Sequence, residues 1–257
     1  MRPDGFAEAE IERFRRDGFL IARGLAPPAV CAALKAFAER ELAAGTGPVE
    51  YEADVGYPGA PASRTAPGGM TVRRLLQAYA RSPAVRQWAA SPMLACRLQQ
   101  LLGAPVMLSQ AHHNCIMTKH PCHGSATGWH RDVRYWSFER PELVSAWLAL
   151  GKEAPENGGL ALLPGTHAMT LAPERLDEAQ FLRPDAPANR ALLASAVPAE
   201  LEAGDVLFFH CLLFHAAGVN RTDEVKYSAV FTYRGADNRP VADTRSASLP
   251  EVALDCR

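Results

Sequence analysis

The stretch GWHRDVRYW, residues 128–136, sets an imidazole and a carboxylate two positions apart, His130 and Asp132, among bulky aromatics. Strand side chains alternate between faces, so residues i and i+2 share a face and these two can reach one point. An imidazole nitrogen and a carboxylate oxygen make a two-ligand pincer. Completed by a second histidine on one triangular face, the pincer would leave three positions of an octahedral iron(II) open for oxygen chemistry. The presence of Asp132, rather than a small residue, argues against halogenation, because no metal position is vacated for a halide. A chain with eight histidines easily contains one such pair by chance. The weight therefore falls on the second histidine. GDVLFFHCLLFHAAGVN offers two, His210 and His215, after a strand-like run.

The elements that must position these groups change character along the chain. AEAEIERFRRDG places Ile11 and Phe14 on one helical face, with Gly18 to close the helix. FLIARGL follows as a short apolar run that fits a strand. PPAVCAALKAFAERELAAG opens on prolines suited to a first turn, stripes Val30, Leu34 and Phe37, and stops at Gly45. In SPMLACRLQQLLG, Ser91 caps, Pro92 takes the first helical position, and Gly103 ends the repeat of Leu94, Leu98 and Leu101. Residues 46–70 are dense in Gly and Pro without a period and read as a long loop, either a lid or a plain surface connection. From residue 105 the chain turns to short β-like runs, PVMLSQAHHNCIMTK, ELVSAWLALGK, GGLALLPGTH, GDVLFFH, FHAAG and VKYSAVFTYR. No helix-length amphipathic run alternates with them, which favours an antiparallel sandwich or barrel over a parallel βαβ sheet. Residues 168–200 read as a polar insertion between strands, and the tail after Arg239 has little pattern. ENGGLALLPGTH is explained structurally: Asn157-Gly158-Gly159 turns into an apolar strand that Pro164-Gly165 ends, with His167 packed beside it.

Composition narrows the function classes. Hydrophobic residues make up 48% and charged residues 21%, ordinary for a globular chain, and 257 residues suit one catalytic domain. A formal net charge of -1 without any dense Lys/Arg run lacks the electrostatic footprint of a nucleic-acid binder. The opening MRPDGFAEAEIERFRRDG has no apolar signal core, and no stretch approaches the roughly 18 apolar residues of a membrane span, so a cytoplasmic protein with no membrane partner is expected. The six cysteines are scattered without a CxxC pair, which points to reduced, mostly buried thiols.

GWHRDVRYW, then ENGGLALLPGTH, then GDVLFFHCLLFHAAGVNRT, in this order and spacing, resemble the phytanoyl-CoA dioxygenase family of iron(II)/2-oxoglutarate oxygenases, and FRRDGFLIARGL resembles that family's opening. The likeness spans about residues 11–235. It implies a mainly β fold with N-terminal helices: a double-stranded β-helix, jelly-roll and cupin-like, over about residues 104–236, buttressed by helices over about 1–103, in one domain covering 1–257. Carried over by position, His130 and Asp132 match the first two iron ligands. His215 matches the distal one, because the family writes that ligand as a histidine, two small residues and soon an asparagine, as in HAAGVN ending at Asn220. His210 is then a packed strand histidine.

The resemblance also implies Fe(II), 2-oxoglutarate and O2, with oxidation of a C–H bond coupled to decarboxylation of the 2-oxo acid. The far carboxylate of 2-oxoglutarate needs a cation and hydroxyl donors one strand beyond the distal histidine. In EVKYSAVFTYRG, alternation puts Lys226, Ser228, Val230, Thr232 and Arg234 on one face, so Lys226 and Ser228 can grip that carboxylate. The family usually has arginine at Lys226, and arginine's planar fork clamps a carboxylate where lysine offers one compact charge. The family's small hydroxyl residue two places after the distal histidine is also replaced, by Ala217. Arg221 and Arg234 stay open as alternative anchors. Trp147 and Lys119 match positions that line the family's cosubstrate pocket. For substrate there are neighbours only, His123, Arg134, Tyr135 and Trp136, with Arg134 able to pair with an anion. The expectation is a small-molecule or carrier-bound substrate and a monomer or homodimer. Two other readings stay open: a cupin-like metalloenzyme with the same triad but no 2-oxoglutarate, and a non-catalytic binding protein.

Overall fold

Ile11 and Phe14 are buried on one face of helix α1 (Glu8–Asp17), and Gly18 follows at φ 80°, the left-handed conformation that ends a helix without a Cβ clash. The chain enters strand β1 (Phe19–Ala22) at once. The computed structural model describes residues 5–256; residues 1–4 and 257, the ends of the expected 1–257 domain, lie outside the described residues. Helix α2 (Pro28–Ala44) starts on a proline, ends before Gly45, and buries Cys31, Leu34 and Phe37. Further helices are α3 (Ala78–Arg81), α4 (Pro83–Ala89), α5 (Pro92–Leu102) and α6 (Arg190–Ala194). The hydroxyl of Ser91 accepts the backbone N–H of Leu94 at the start of α5, as its sequence predicts.

The remaining strands are β2 (Val49–Tyr51), β3 (Val72–Leu76), β4 (Val106–Lys119), β5 (Thr127–His130), β6 (Leu143–Ala149), β7 (Leu160–Leu162), β8 (Val197–Pro198), β9 (Val206–His210), β10 (His215–Ala217), β11 (Lys226–Gly235) and β12 (Val252–Ala253). They form two antiparallel sheets. The large one runs β1-β9-β6-β11-β4-β3-β2, with β12 also paired to β4, and the small one runs β5-β10-β7-β8. Facing each other, the two sheets make the double-stranded β-helix that the sequence implies. One face of the large sheet, including Phe208, Phe231 and Tyr233, packs on Leu34, Phe37, Trp88 and Leu98 from the helices. Its other face, including Trp147, Leu207, Phe209 and Val230, meets Leu160, Leu162 and Leu213 between the sheets. The period-2 alternation of β11 thus divides its residues between a helix-side core and the barrel interior.

Two expectations are corrected. Residues 46–70 are not all loop, and the first hundred residues are not all helical, because β2 and β3 pair there and extend the large sheet beside β4. VEY alternates but is only three residues long, and VRRLL puts an arginine on each face, so long-range pairing, not local pattern, makes them strands. The charges are used inside. Glu52, just after β2, is fully buried, and it accepts from Arg73 Nη1 (3.2 Å), Ser125 N (3.1 Å) and Ser125 Oγ (2.6 Å). Arg73 Nη2 donates to Thr127 Oγ1 at 2.7 Å, so this network ties β3 to β5. The cysteine reading also needs amendment. Cys31, Cys115 and Cys211 are free and buried and Cys122 is free and exposed, but Cys96 and Cys256 form a disulfide across 160 residues, a pairing no spacing signals. Among the described residues no helix is long and apolar enough to cross a membrane.

Candidate active site

β5 lies beside β10 with His130 directly opposite His215, so one cross-strand pair brings two remote histidines together. Their ring centroids are 4.3 Å apart. Strand pairing stops at His130, and Asp132 opens a 3-10 turn, Asp132–Tyr135, rather than sitting within the strand as expected. The same-face geometry survives because Arg131 keeps extended dihedrals (φ -110°, ψ 137°) and sends its own side chain away, onto the carbonyls of Thr166 and Met169. Asp132 Oδ1 lies 3.6 Å from His215 Nε2 and 3.9 Å from His130 Nε2. All three residues are buried, and their ligating atoms lie within 4.8 Å of one another.

Each histidine has its other nitrogen engaged. His130 Nδ1 is 2.9 Å from the Gly128 carbonyl and His215 Nδ1 is 3.1 Å from the Leu213 carbonyl, so both Nδ1 atoms carry the proton and both Nε2 lone pairs face Asp132. Burial, and then the neighbouring His215, pushes the His130 pKa down to about 3, so its imidazole is neutral, as a ligand must be. For Asp132 burial works to raise the carboxyl pKa, yet His113, His215, His130 and Arg74 together pull it below its ordinary value. Its second oxygen, Oδ2, faces Ser145 Oγ at 3.4 Å and His113 Nδ1 at 3.6 Å. Two neutral imidazoles and a carboxylate aimed at one point are an N/N/O donor set that suits ferrous iron. His210 is elsewhere. Its Nδ1 accepts from Leu212 N at 3.1 Å and its ring packs on His167, so it is the structural histidine that the sequence predicts.

The triad opens into a cavity of about 550 Å3 between the sheets. Lys119, Trp147, Ala217 and Lys226 all line it. Ser228 lies just behind. The anchor alternatives drop out: Arg234 is paired with Glu251, and Arg221 is exposed and does not line the cavity. Lys119 Nζ donates to the carbonyls of Ser125 (2.8 Å) and Gly218 (2.7 Å), and burial, then Arg73 and Lys226, lowers its pKa to about 7. Gly158 packs against the aliphatic part of this lysine at φ 75°, where an added Cβ would stand 2.7 Å from Lys119 Cδ. The turn ENGG thus helps to shape the pocket wall. Arg134, Tyr135 and Trp136 also line the cavity, but His123 does not: it is exposed and packs on Gly68. His123 points outward because the segment 120–124 forms a turn at the rim instead of continuing β4.

Several lining residues carry no sequence signal. Tyr57, from the supposed loop, hydrogen-bonds Tyr135 at 3.0 Å between hydroxyls. Phe181, from the 168–200 insertion, stacks under Arg134 at 4.1 Å and on His130 at 5.6 Å. Arg74, from β3, sits beside Glu50; burial works to lower the guanidinium's pKa, but Glu50, Cys115, Tyr57 and Asp132 together raise it. His113 and Arg245 complete the wall. The doublet His112-His113 in β4 stands in no pattern that marks it, yet both residues line the cavity, and His113 reaches Asp132 Oδ2.

A sequence profile of the family described as Phytanoyl-CoA dioxygenase matches residues 14–228. A probable phytanoyl-CoA dioxygenase of Caenorhabditis elegans is 27% identical over 63% of this chain; the chain spans only 54% of that protein's length. The ectoine dioxygenase of Bordetella parapertussis is 26% identical over 91% of this chain and 77% of its own length. Among solved structures, the epimerase SnoN, in complex with Fe3+, alpha ketoglutarate and nogalamycin RO, superposes with a TM-score of 0.74 at 25% identity, covering 95% of this chain and 90% of that one. EctD from S. alaskensis with bound Fe, at TM-score 0.75 and 21% identity over 97% of this chain and 87% of that one, shares the fold.

Proposed function

Because the chain belongs to the phytanoyl-CoA dioxygenase family, we propose that it is an Fe(II)- and 2-oxoglutarate-dependent dioxygenase that oxidises a C–H bond of a small anionic molecule, within a single catalytic domain. One observation carries the reading: His130, Asp132 and His215 bring two Nε2 lone pairs and a carboxylate oxygen to one point at the head of a cavity. Iron held by these three residues would supply the activation of O2, coupled to decarboxylation of 2-oxoglutarate to succinate and CO2. The chain does the rest. His130 and His215 present fixed tautomers. Asp132 supplies one negative charge, steadied through Oδ2 by Ser145 and His113. The apolar floor of Leu160, Leu76 and Met117 keeps bulk water from the inner end.

The anionic substrate is inferred from the outer wall. Arg134 and Arg245 line it without an ion pair among the described residues, and Arg134 Nη1 is buried with no hydrogen-bond partner. A buried donor left unmatched is costly unless a ligand supplies the acceptor. Tyr57, Tyr135, Trp136 and Phe181 add aromatic surface around it. Arg134→Ala is expected to raise KM for the substrate by about ten- to a hundred-fold with a smaller change in kcat, the worth of one charge-assisted hydrogen bond. Steady-state kinetics check it. SnoN is an epimerase and the Bordetella relative a dioxygenase, so the fate of the oxidised carbon follows from how substrate sits over the triad.

The test of the whole reading is anaerobic addition of Fe(II) and 2-oxoglutarate, followed by O2 and assay of succinate. Weak substrate-free succinate formation that requires iron is expected. Normal iron binding with no CO2 released from any 2-oxo acid points to the metalloenzyme without 2-oxoglutarate; no iron binding by the folded protein points to a binding module.

A further inference from the structure

The anion grip predicted around Lys226 already holds an anion, and it is the protein's own. Glu153 is buried, 1% exposed, and its Oε2 accepts from Lys226 Nζ at 3.0 Å. Its Oε1 accepts from Ser228 Oγ at 2.6 Å and from Trp147 Nε1 at 2.9 Å. Every side chain assigned to grip a distal carboxylate at this end of the barrel, Lys119 excepted, donates to Glu153 instead. Lys226 Nζ also donates to Ser228 Oγ at 3.0 Å, which leaves one of the ammonium's three protons for the cavity.

Glu153 is not a side chain caught in passing. Its backbone N–H and carbonyl bond both ways to Leu201, at 2.8 and 2.9 Å, fixing the segment that follows β6 against the one before β9. Neither Glu153 nor Ser228 lines the cavity, so the pair closes its floor from behind, while Lys226 and Trp147 face the interior with Nζ 5.1 Å from the indole ring. The ion pair makes the floor neutral. A ligand carboxylate arriving at Lys226 would share one ammonium with a second, buried carboxylate, and like charges at such range disfavour each other. Glu153 cannot readily leave, because a buried carboxylate without its partners carries a large desolvation cost. Lys119 gives two of its three protons to carbonyls, and burial lowers its pKa to about 7, so it adds less positive charge than an ordinary lysine.

We propose that Glu153 is a specificity-determining residue of the cosubstrate pocket: by holding Lys226, Ser228 and Trp147 in an internal pair, it removes the pocket's preference for a distal carboxylate and admits 2-oxo acids with short uncharged tails as well as 2-oxoglutarate. The inference rests on the oxygenase reading above and concerns the same site. Nothing in the sequence GKEAPENGG announces it, since the segment reads as a turn.

The experiment is an anaerobic titration of the Fe(II)-loaded full chain with 2-oxoglutarate and, separately, with 2-oxobutyrate, which has the same chelating head and no distal carboxylate. The visible charge-transfer band of the chelate reports each Kd, independently of turnover. The wild type is expected to prefer 2-oxoglutarate by less than about ten-fold, below what one charge-assisted contact confers. Glu153→Gln, which keeps shape and one acceptor oxygen for Ser228 and Trp147 but removes the charge and releases Lys226, is expected to tighten 2-oxoglutarate by about ten-fold or more while 2-oxobutyrate stays within about two-fold. Glu153→Ala serves as a second variant, and thermal melting of each confirms folding. A wild-type preference above about ten-fold, or a preference ratio that the folded variants leave unchanged, overturns the inference and leaves the oxygenase reading standing. Iron binding with no chelate band for either acid in any variant overturns both.

Discussion

Asp132→Ala is expected to abolish retention of Fe(II) and, with it, all 2-oxo acid decarboxylation. The carboxylate is the only charged member of the triad, and its Oδ1 faces both Nε2 atoms. Two neutral imidazoles alone do not offset the desolvation of a dication in a buried site. Loss of a supporting partner around a metal ligand costs about 10- to 100-fold in affinity, so loss of a ligand is expected to exceed a hundred-fold. Ser145→Ala, which removes a contact to Oδ2 and leaves Oδ1 in place, sets the comparison in that lower range. Equilibrium dialysis against Fe(II) and anaerobic spectroscopy measure both variants. A further sign separates a ligand from a merely structural carboxylate: in Asp132→Ala the vacated volume can accept a small carboxylate, so millimolar formate is expected to restore part of the iron binding. A variant that holds iron like the wild type places the metal elsewhere.

The triad was legible because its parts sit in patterns with their own logic. Two residues apart on extended backbone means one face, and that holds through Arg131 even though the strand ends at His130. HAAGVN separated His215 from His210 because it follows the resembled family's pattern for the distal ligand, a histidine, two small residues and soon an asparagine, and β10 there pairs with both β5 and β7. The six β-like runs became the core sheets because alternation and apolar content are local properties of the chain. What escaped was set by contacts across long stretches of sequence. β2 is too short and β3 too charged to show a strand pattern, and only their pairing beside β4 makes those charges interior. Glu153 lies 73 residues before Lys226, and only the closing of the barrel puts the two carboxylate oxygens among their three donors. His123 failed for the converse reason: nearness in sequence to the ligand strand did not survive the turn at 120–124.

Glu52→Ala is expected to destabilise the fold by about 3–5 kcal/mol, the range seen when one partner is removed from a buried ion pair. The carboxylate is fully buried and accepts from three donors, Arg73 Nη1, Ser125 N and Ser125 Oγ. Without it the Arg73 guanidinium keeps Thr127 Oγ1 and Ser125 Oγ but loses its nearest counter-charge, with Glu50 Oε2 the remaining carboxylate at 3.8 Å. Near this chain length each kcal/mol moves Tm by about 2–4 °C, so a fall of roughly 6–20 °C is expected by calorimetry. Replacing both partners by apolar residues of similar volume, Glu52→Leu with Arg73→Met, is expected to recover much of the loss, because no charge is then left buried alone. The double variant separates stability from function. Arg73 ties β3 to Thr127 at the start of β5, the strand that ends on His130. If that tie positions the ligand strand, the double variant regains Tm but binds Fe(II) more weakly than the wild type. If β10 alone holds β5 in register, iron affinity returns along with Tm.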